Sequence, residues 1–214
     1  MDFLSPELQQ YITRHTSPEP PLLSELNRET HTKVMKPRML SGHVQGRFLA
    51  LLSQMIKPEQ VLEIGTYTGY SAICLAEGLA PGGLVHTIDV NEELEDMVRG
   101  YLARAGLADK VRYYIGPALQ LIPTLDYSFD LVFIDADKIN NALYYEMVLD
   151  KVVPGGFILV DNVLWSGKVA QQTNKKIDAD TQSILDFNAR IQADDRVENL
   201  LLPLRDGLMM IRKK

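Results

Sequence analysis

Two apolar runs in the C-terminal half of the chain end in oxygen-bearing side chains. Leu131 to Ile134 is followed by D-A-D-K, Asp135 to Lys138, and Phe157 to Val160 by D-N, Asp161 and Asn162. If the two runs are neighbouring parallel strands, Asp135, Asp161 and Asn162 meet at one edge of a sheet and offer only oxygen ligands. That set suits octahedral Mg²⁺, and also Mn²⁺ or Ca²⁺, but not zinc. Two carboxylates and an amide leave coordination positions open, which a vicinal diol could fill, and a cation there makes such a hydroxyl easier to deprotonate. Lys138, one turn beyond Asp135, is the candidate general base. Alternatively, the three oxygens are helix caps and Lys138 is a solvated charge.

A second constellation lies upstream, in V-L-E-I-G-T-Y-T-G-Y-S, Val61 to Ser71. A dinucleotide fingerprint needs G-x-G-x-x-G, but Tyr67 stands where the second glycine would let a pyrophosphate approach the backbone. No G-K-[ST] follows, so the P-loop is absent as well. What remains is Glu63 before a turn carrying Gly65 and Gly69, with Asp89 at the tip of the next strand, where a carboxylate can accept from two ribose hydroxyls. The combination suits a nucleoside without phosphates. In the plainer alternative the glycines only make a tight turn and Asp89 only caps the helix after Val90.

These residues need strands to carry them, and the chain supplies a regular alternation. It reads strand (61–64), helix (70–79), strand (84–89), helix (92–105), strand (111–115), short helix, strand (130–134), helix (140–152) and strand (157–160). Strands alternating with amphipathic helices predict an α/β fold with a parallel sheet covered on both faces. At the end, Val197 to Leu202, R-D-G and Leu208 to Arg212 read as an antiparallel hairpin. Ahead of the alternation, Ser5-Pro6-Glu7 starts a short first helix, a second is expected from about Ser24 to Val34, and a third from His43 to Ile56. Residues 1–56 therefore form a helical cap within one domain spanning 1–214. The stretch 163–180 carries no secondary-structure signal.

Composition limits the function classes. The 214 residues, 46% of them hydrophobic and 23% charged, suffice for one sizeable core, and the formal net charge is -6. An acidic balance disfavours a nucleic-acid partner. The start, M-D-F-L-S-P-E, shows no leader, and no apolar run approaches the roughly 20 residues that span a bilayer. A cytoplasmic protein with no membrane partner is expected. Cys74, the only cysteine, sits between Ile73 and Leu75 as a core thiol. His15, His31, His43 and His86 lack metal-ligand spacing, and His86 reads as a strand residue.

From E-I-G-T-Y-T-G-Y-S through D-A-D-K to D-N-x-L-W-S-G the chain resembles the cation-dependent O-methyltransferases of the caffeoyl-CoA and catechol type. These belong to the class I S-adenosylmethionine (SAM) methyltransferases. The resemblance covers Val34 to Lys214. It implies a Rossmann-like, seven-stranded, mostly parallel sheet whose terminal hairpin supplies an antiparallel seventh strand. By that resemblance Glu63, Gly65, Tyr67 and Ser71 line the methionine end of SAM, Asp89 holds its ribose and Ala118 packs by its adenine. Met39 and Ser41 belong to a loop closing over the cofactor, and Asp135 adjoins it. The implied reaction is methyl transfer to a hydroxyl of a small catechol-like or hydroxycinnamoyl-type acceptor, assisted by a divalent cation at Asp135, Asp161 and Asn162, with Asp135 and Lys138 as catalytic residues.

Two rival expectations are a methyltransferase acting on RNA or another large acceptor, and a SAM-binding or metal-binding module without turnover. One departure stands out: H-V-Q-G-R-F-L replaces a family loop with an acid before G-Q-F-L, so Gln45 and Arg47 stand for an acid and an amide. Trp165 could sandwich an aromatic acceptor or anchor its loop, and Asp137 is expected to cap the following helix, with Asn140 beside it. Lys33, Lys36 and Arg38 could receive a CoA phosphate or form a solvated face. A homodimer is expected by resemblance; Leu200, Leu202, Leu208 and Met210 of the hairpin either supply its apolar face or turn towards the chain's own helices.

Overall fold

The structure, a computed structural model, describes residues 4–171 and 177–214. The first three residues of the segment read for a leader, and residues 172–176 of the 163–180 stretch, lie outside the described residues. The strands are β1 (Gln60–Ile64), β2 (Leu84–Asp89), β3 (Val111–Ile115), β4 (Phe129–Ile134), β5 (Val152–Asp161), β6 (Val197–Leu202) and β7 (Leu208–Lys213). The α-helices are α1 (Pro6–Arg14), α2 (Pro21–Lys33), α3 (Gly42–Ile56), α4 (Tyr70–Ala76), α5 (Glu95–Arg104), α6 (Ala118–Leu121), α7 (Asn141–Leu149) and α8 (Ala179–Gln192).

All seven strands form one sheet in the order β3-β2-β1-β4-β5-β7-β6. The first five run parallel, and β7 lies antiparallel between β5 and β6. The expected architecture is therefore the observed one. Near-continuous apolar runs such as Leu131 to Ile134 are what a strand buried on both faces requires. Because side chains alternate along a strand, Val61, Leu131, Phe133 and Leu159 pack with residues of α2 to α5. Leu62, Ile64, Val132, Ile134 and Val160 pack on the other face with α6, α7 and α8. Strand order reverses between β1 and β4, which opens a crevice beyond their carboxyl ends, the place where open α/β sheets bind ligands.

Boundaries shift for identifiable reasons. α2 begins at Pro21 rather than near Ser24, since a proline is well suited to the first helical position. β5 begins at Val152: Val152 pairs with Phe129 and Phe157 with Leu131, so the stretch containing Pro154, Gly155 and Gly156 bulges out of register before the apolar run. No element is predicted over 181–196, yet α8 covers most of it. Asp178 caps that helix by accepting from the Thr181 amide at 2.8 Å, and Ile184, Phe187 and Ile191 bury one face.

The helical cap is pinned by carboxylates as well as by Leu23 and Leu26. Tyr70 Oη donates to Glu19 at 2.5 Å, Tyr101 Oη to Glu29 at 2.5 Å, and Arg104 makes a two-pronged pair with Glu25. Cys74 is fully buried, and burial pushes its thiol up to about 12, in keeping with an inert core position. The hairpin side chains follow the second of the two readings. Leu208 is buried, and Leu202 and Met210 pack against the same core, leaving only Leu200 of the four largely exposed. That face therefore lends no support to a homodimer. Among the described residues no helix is long and apolar enough to cross a membrane.

Candidate active site

The crevice is a cavity of about 900 Å³, towards the upper end of the roughly 300–1,000 Å³ usual for small-molecule sites. Met39, Ser41, Gly65, Tyr67, Ser71, Asp89, Ala118, Asp135, Lys138, Asp161, Asn162 and Trp165 all line it. Glu63 does not; it is completely buried beneath the wall, where Thr87 Oγ1 donates to its Oε2 at 2.5 Å. Burial pushes the Glu63 carboxyl up to about 8, against hydrogen bonds from Ser71 and Thr87 that pull it down.

One half of the cavity is shaped by the turn after β1. Gly65 has φ +105°, and a Cβ there would stand 2.2 Å from the Asp135 carbonyl oxygen, so only glycine lets β1 and β4 end side by side. Beyond it, the Tyr67 amide donates to Asp89 Oδ2 at 2.7 Å and the Asn91 amide to Oδ1 at 2.9 Å. Each carboxylate oxygen thus receives one backbone amide and keeps a second lone pair for a ligand. Tyr67 Oη donates to the Met35 carbonyl at 3.0 Å, tying this turn to the loop after α2. Of the basic cluster, Lys36 and Arg38 line the cavity, while Lys33 pairs with Glu29 at 2.9 Å.

The other half gathers the oxygen-bearing side chains at the ends of β4 and β5. Ile134 pairs with Val160 in parallel register, so Asp135 and Asp161 follow at neighbouring strand tips. Asp161 Oδ1 accepts from the Asn162 amide at 2.8 Å and Oδ2 from Gln45 Nε2 at 2.8 Å. Asn162 takes a left-handed backbone, φ +63°, a conformation asparagine tolerates better than most residues. Burial raises the pKa of Asp161, and the neighbouring charge of Asp135 raises it further. Lys138 Nζ donates to Asp135 Oδ1 at 3.1 Å, with its side chain only 10% exposed.

Asp137 departs from its expected role. It makes no backbone cap; its carboxylate accepts instead from Tyr144 Oη at 2.6 Å and Asn140 Nδ2 at 2.5 Å. Trp165 lines the cavity with the Lys168 ammonium 5.9 Å from its ring centroid.

A family model described as O-methyltransferase matches residues 13–214. The chain belongs to the O-methyltransferase family. Caffeoyl-CoA O-methyltransferase 2 of Zea mays is 36% identical over 98% of this chain and 83% of its own length. The corresponding enzyme of Petroselinum crispum is 34% identical over 98% and 91%. Among solved structures, the O-methyltransferase of Bacillus cereus in complex with SAH superposes with a TM-score of 0.87 at 36% identity, covering 97% of both chains. The SAH-bound methyltransferase of Podospora anserina reaches a TM-score of 0.89 at 29% identity, covering 97% and 94%.

The two residues that depart from the family loop part company in space. Gln45 is buried against Asp161, whereas Arg47 makes an ion pair with Glu77, its side chain 13% exposed. Arg205, unnoticed in the sequence, lines the cavity and donates to Gln45 Oε1 at 2.8 Å. The only hint of it was the R-D-G of the hairpin, where the glycine marks the turn and the arginine looks like an ordinary surface residue.

Proposed function

We propose that this O-methyltransferase takes its methyl group from SAM and delivers it to one hydroxyl of a small catechol-like or hydroxycinnamoyl-type acceptor, with a divalent cation, Mg²⁺ or else Mn²⁺ or Ca²⁺, at Asp135, Asp161 and Asn162. The observation that carries this reading is the pair of carboxylates at the tips of β4 and β5, opening into the same cavity as the Gly65 turn and Asp89. The donor set fits a hard cation: two carboxylates, of which Asp161 is buried and made costlier to ionise by burial and by the charge of Asp135, beside an amide. Among the described residues no three His, Cys, Asp or Glu side chains group as a metal site; in this reading the third ligand is the amide of Asn162. SAM supplies an electrophilic sulfonium methyl, and a divalent cation supplies Lewis acidity that favours loss of a hydroxyl proton.

The chain's own residues do the rest. Asp89 accepts from the two ribose hydroxyls, and the close packing of Gly65 against Asp135 sets the donor pocket directly beside the oxygen ligands. Lys138, within reach of Asp135, accepts the acceptor's proton. Trp165 offers a flat apolar wall for an aromatic ring. Lys36 and Arg38, on the cap side, are placed to meet an anionic group on a longer acceptor.

A methyl-transfer screen over caffeate, caffeoyl-CoA and simple catechols, with and without Mg²⁺, tests the proposal. Turnover of at least one diol that depends on Mg²⁺ is expected; methylation of the same diols indifferent to the cation would refute it. The cofactor half has its own check. A carboxylate bridging both ribose hydroxyls makes two charge-assisted bonds of about 1.5–3 kcal/mol each. Asp89→Ala is therefore expected to weaken SAM binding by roughly one to three orders of magnitude in calorimetry. Unchanged affinity would reduce Asp89 to an organiser of the Tyr67 and Asn91 amides.

A further inference from the structure

Three elements far apart in the sequence meet behind Asp161. Arg205, in the turn between β6 and β7, holds φ +49°, an unusual conformation for a residue with a Cβ. From there its Nη1 donates to the Ser41 carbonyl at 2.6 Å and to Gln45 Oε1 at 2.8 Å. Gln45, 1% exposed, passes its Nε2 to Asp161 Oδ2 at 2.8 Å. The chemistry of the partners fixes the order of this chain of bonds. A guanidinium only donates and a carboxylate only accepts, so the amide must turn its oxygen to Arg205 and its NH₂ to Asp161. Both bonds are charge-assisted, and an amide held between a cation and an anion is polarised by each. With the Asn162 amide on Oδ1, each Asp161 oxygen is left one lone pair for the cavity.

We propose, on the reading of Asp161 as a cation ligand, that Gln45 and Arg205 are positioning residues for that site. Arg205 fixes the Asp161 carboxylate through the Gln45 amide, and through the Ser41 carbonyl it joins that orientation to the cap loop on the cofactor side. An acid in place of Gln45 could accept from Arg205 but, ionised, could not donate to Asp161, so the glutamine and the arginine work as a matched pair.

The test measures Mn²⁺ binding by electron paramagnetic resonance and SAM binding by calorimetry, each on the full chain without acceptor. Groups that orient metal ligands typically cost 10- to 100-fold in metal affinity when removed. Gln45→Leu is expected to lose Mn²⁺ affinity by about that factor and to keep wild-type SAM affinity. Arg205→Met is expected to weaken both ligands, because the amide and the Ser41 carbonyl lose their anchor together, and Arg205→Lys, which keeps a donor, to recover most of the loss. Arg205 is exposed, so its variants should fold even if Gln45→Leu does not. Wild-type Mn²⁺ binding in Arg205→Met, while Asp161→Ala loses the ion, would overturn the inference and leave the cation reading standing. Equal losses for Arg205→Met and Arg205→Lys would also overturn it. Mn²⁺ binding by Asp161→Ala as tight as by the wild type, or none by the wild type, would overturn the cation reading and the inference with it.

Discussion

Asp161→Ala is expected to abolish methyl transfer while leaving SAM affinity close to the wild-type level. Two features of the fold separate these outcomes. Asp161 closes β5, whereas Asp89, the carboxylate proposed for the ribose, closes β2, with β1 and β4 between them. Three strand spacings put the two tips about 14 Å apart, too far for loss of one carboxylate to disturb the other directly. Asp161 also has no substitute, since Asp135 and Asn162 alone would leave the cation one carboxylate. The Gln45 NH₂ loses its acceptor, which costs about 1–3 kcal/mol when such a group stays buried. Relief of the repulsion from Asp135 offsets part of that cost, so the variant should remain folded in a thermal melt. Chelation should bring the wild type to the same floor as the variant, and added Mg²⁺ should restore only the wild type. Wild-type turnover that survives exhaustive chelation would end the metal mechanism.

Much of this site was legible because its residues sit at strand tips. A parallel strand ends where its apolar run ends, so D-A-D-K and D-N mark two tips, and their adjacency follows once β4 and β5 pair in sequence order. The glycine turn was legible for a similar reason: Gly65 is required by the Asp135 backbone pressed against it. What escaped is long-range. Arg205 lies 160 residues from Gln45 and 164 from Ser41, and no local pattern distinguishes an arginine that caps a distant amide from one facing solvent. Asp137 misled because an aspartate ahead of a helix is commonly an N-cap, and here the Tyr144 hydroxyl took the carboxylate first. α8 was missed although Asp178 is an ordinary cap, because the 163–180 stretch before it gives no signal of where a helix would begin.

Lys138→Met separates acidification of the acceptor from removal of its proton. The variant loses the proton acceptor but keeps Asp135, Asp161 and Asn162, so kcat should fall by about 10² to 10⁴-fold with little change in SAM affinity. Lys138 Nζ also donates to Asp135 Oδ1 at 3.1 Å, in competition with any cation for that oxygen. Its removal should therefore leave Mn²⁺ affinity undiminished, in contrast to Asp135→Ala. A series of acceptors then identifies the role. Nitro-substituted catechols have a more acidic hydroxyl, which ionises with little help from a base. The deficit of Lys138→Met should shrink steadily as acceptor pKa falls, whereas Asp135→Ala, which removes a ligand, should gain nothing from an acidic acceptor. A deficit that stays constant across the series would remove Lys138 as the base. Its side chain, 10% exposed, would then carry a fixed charge that positions Asp135.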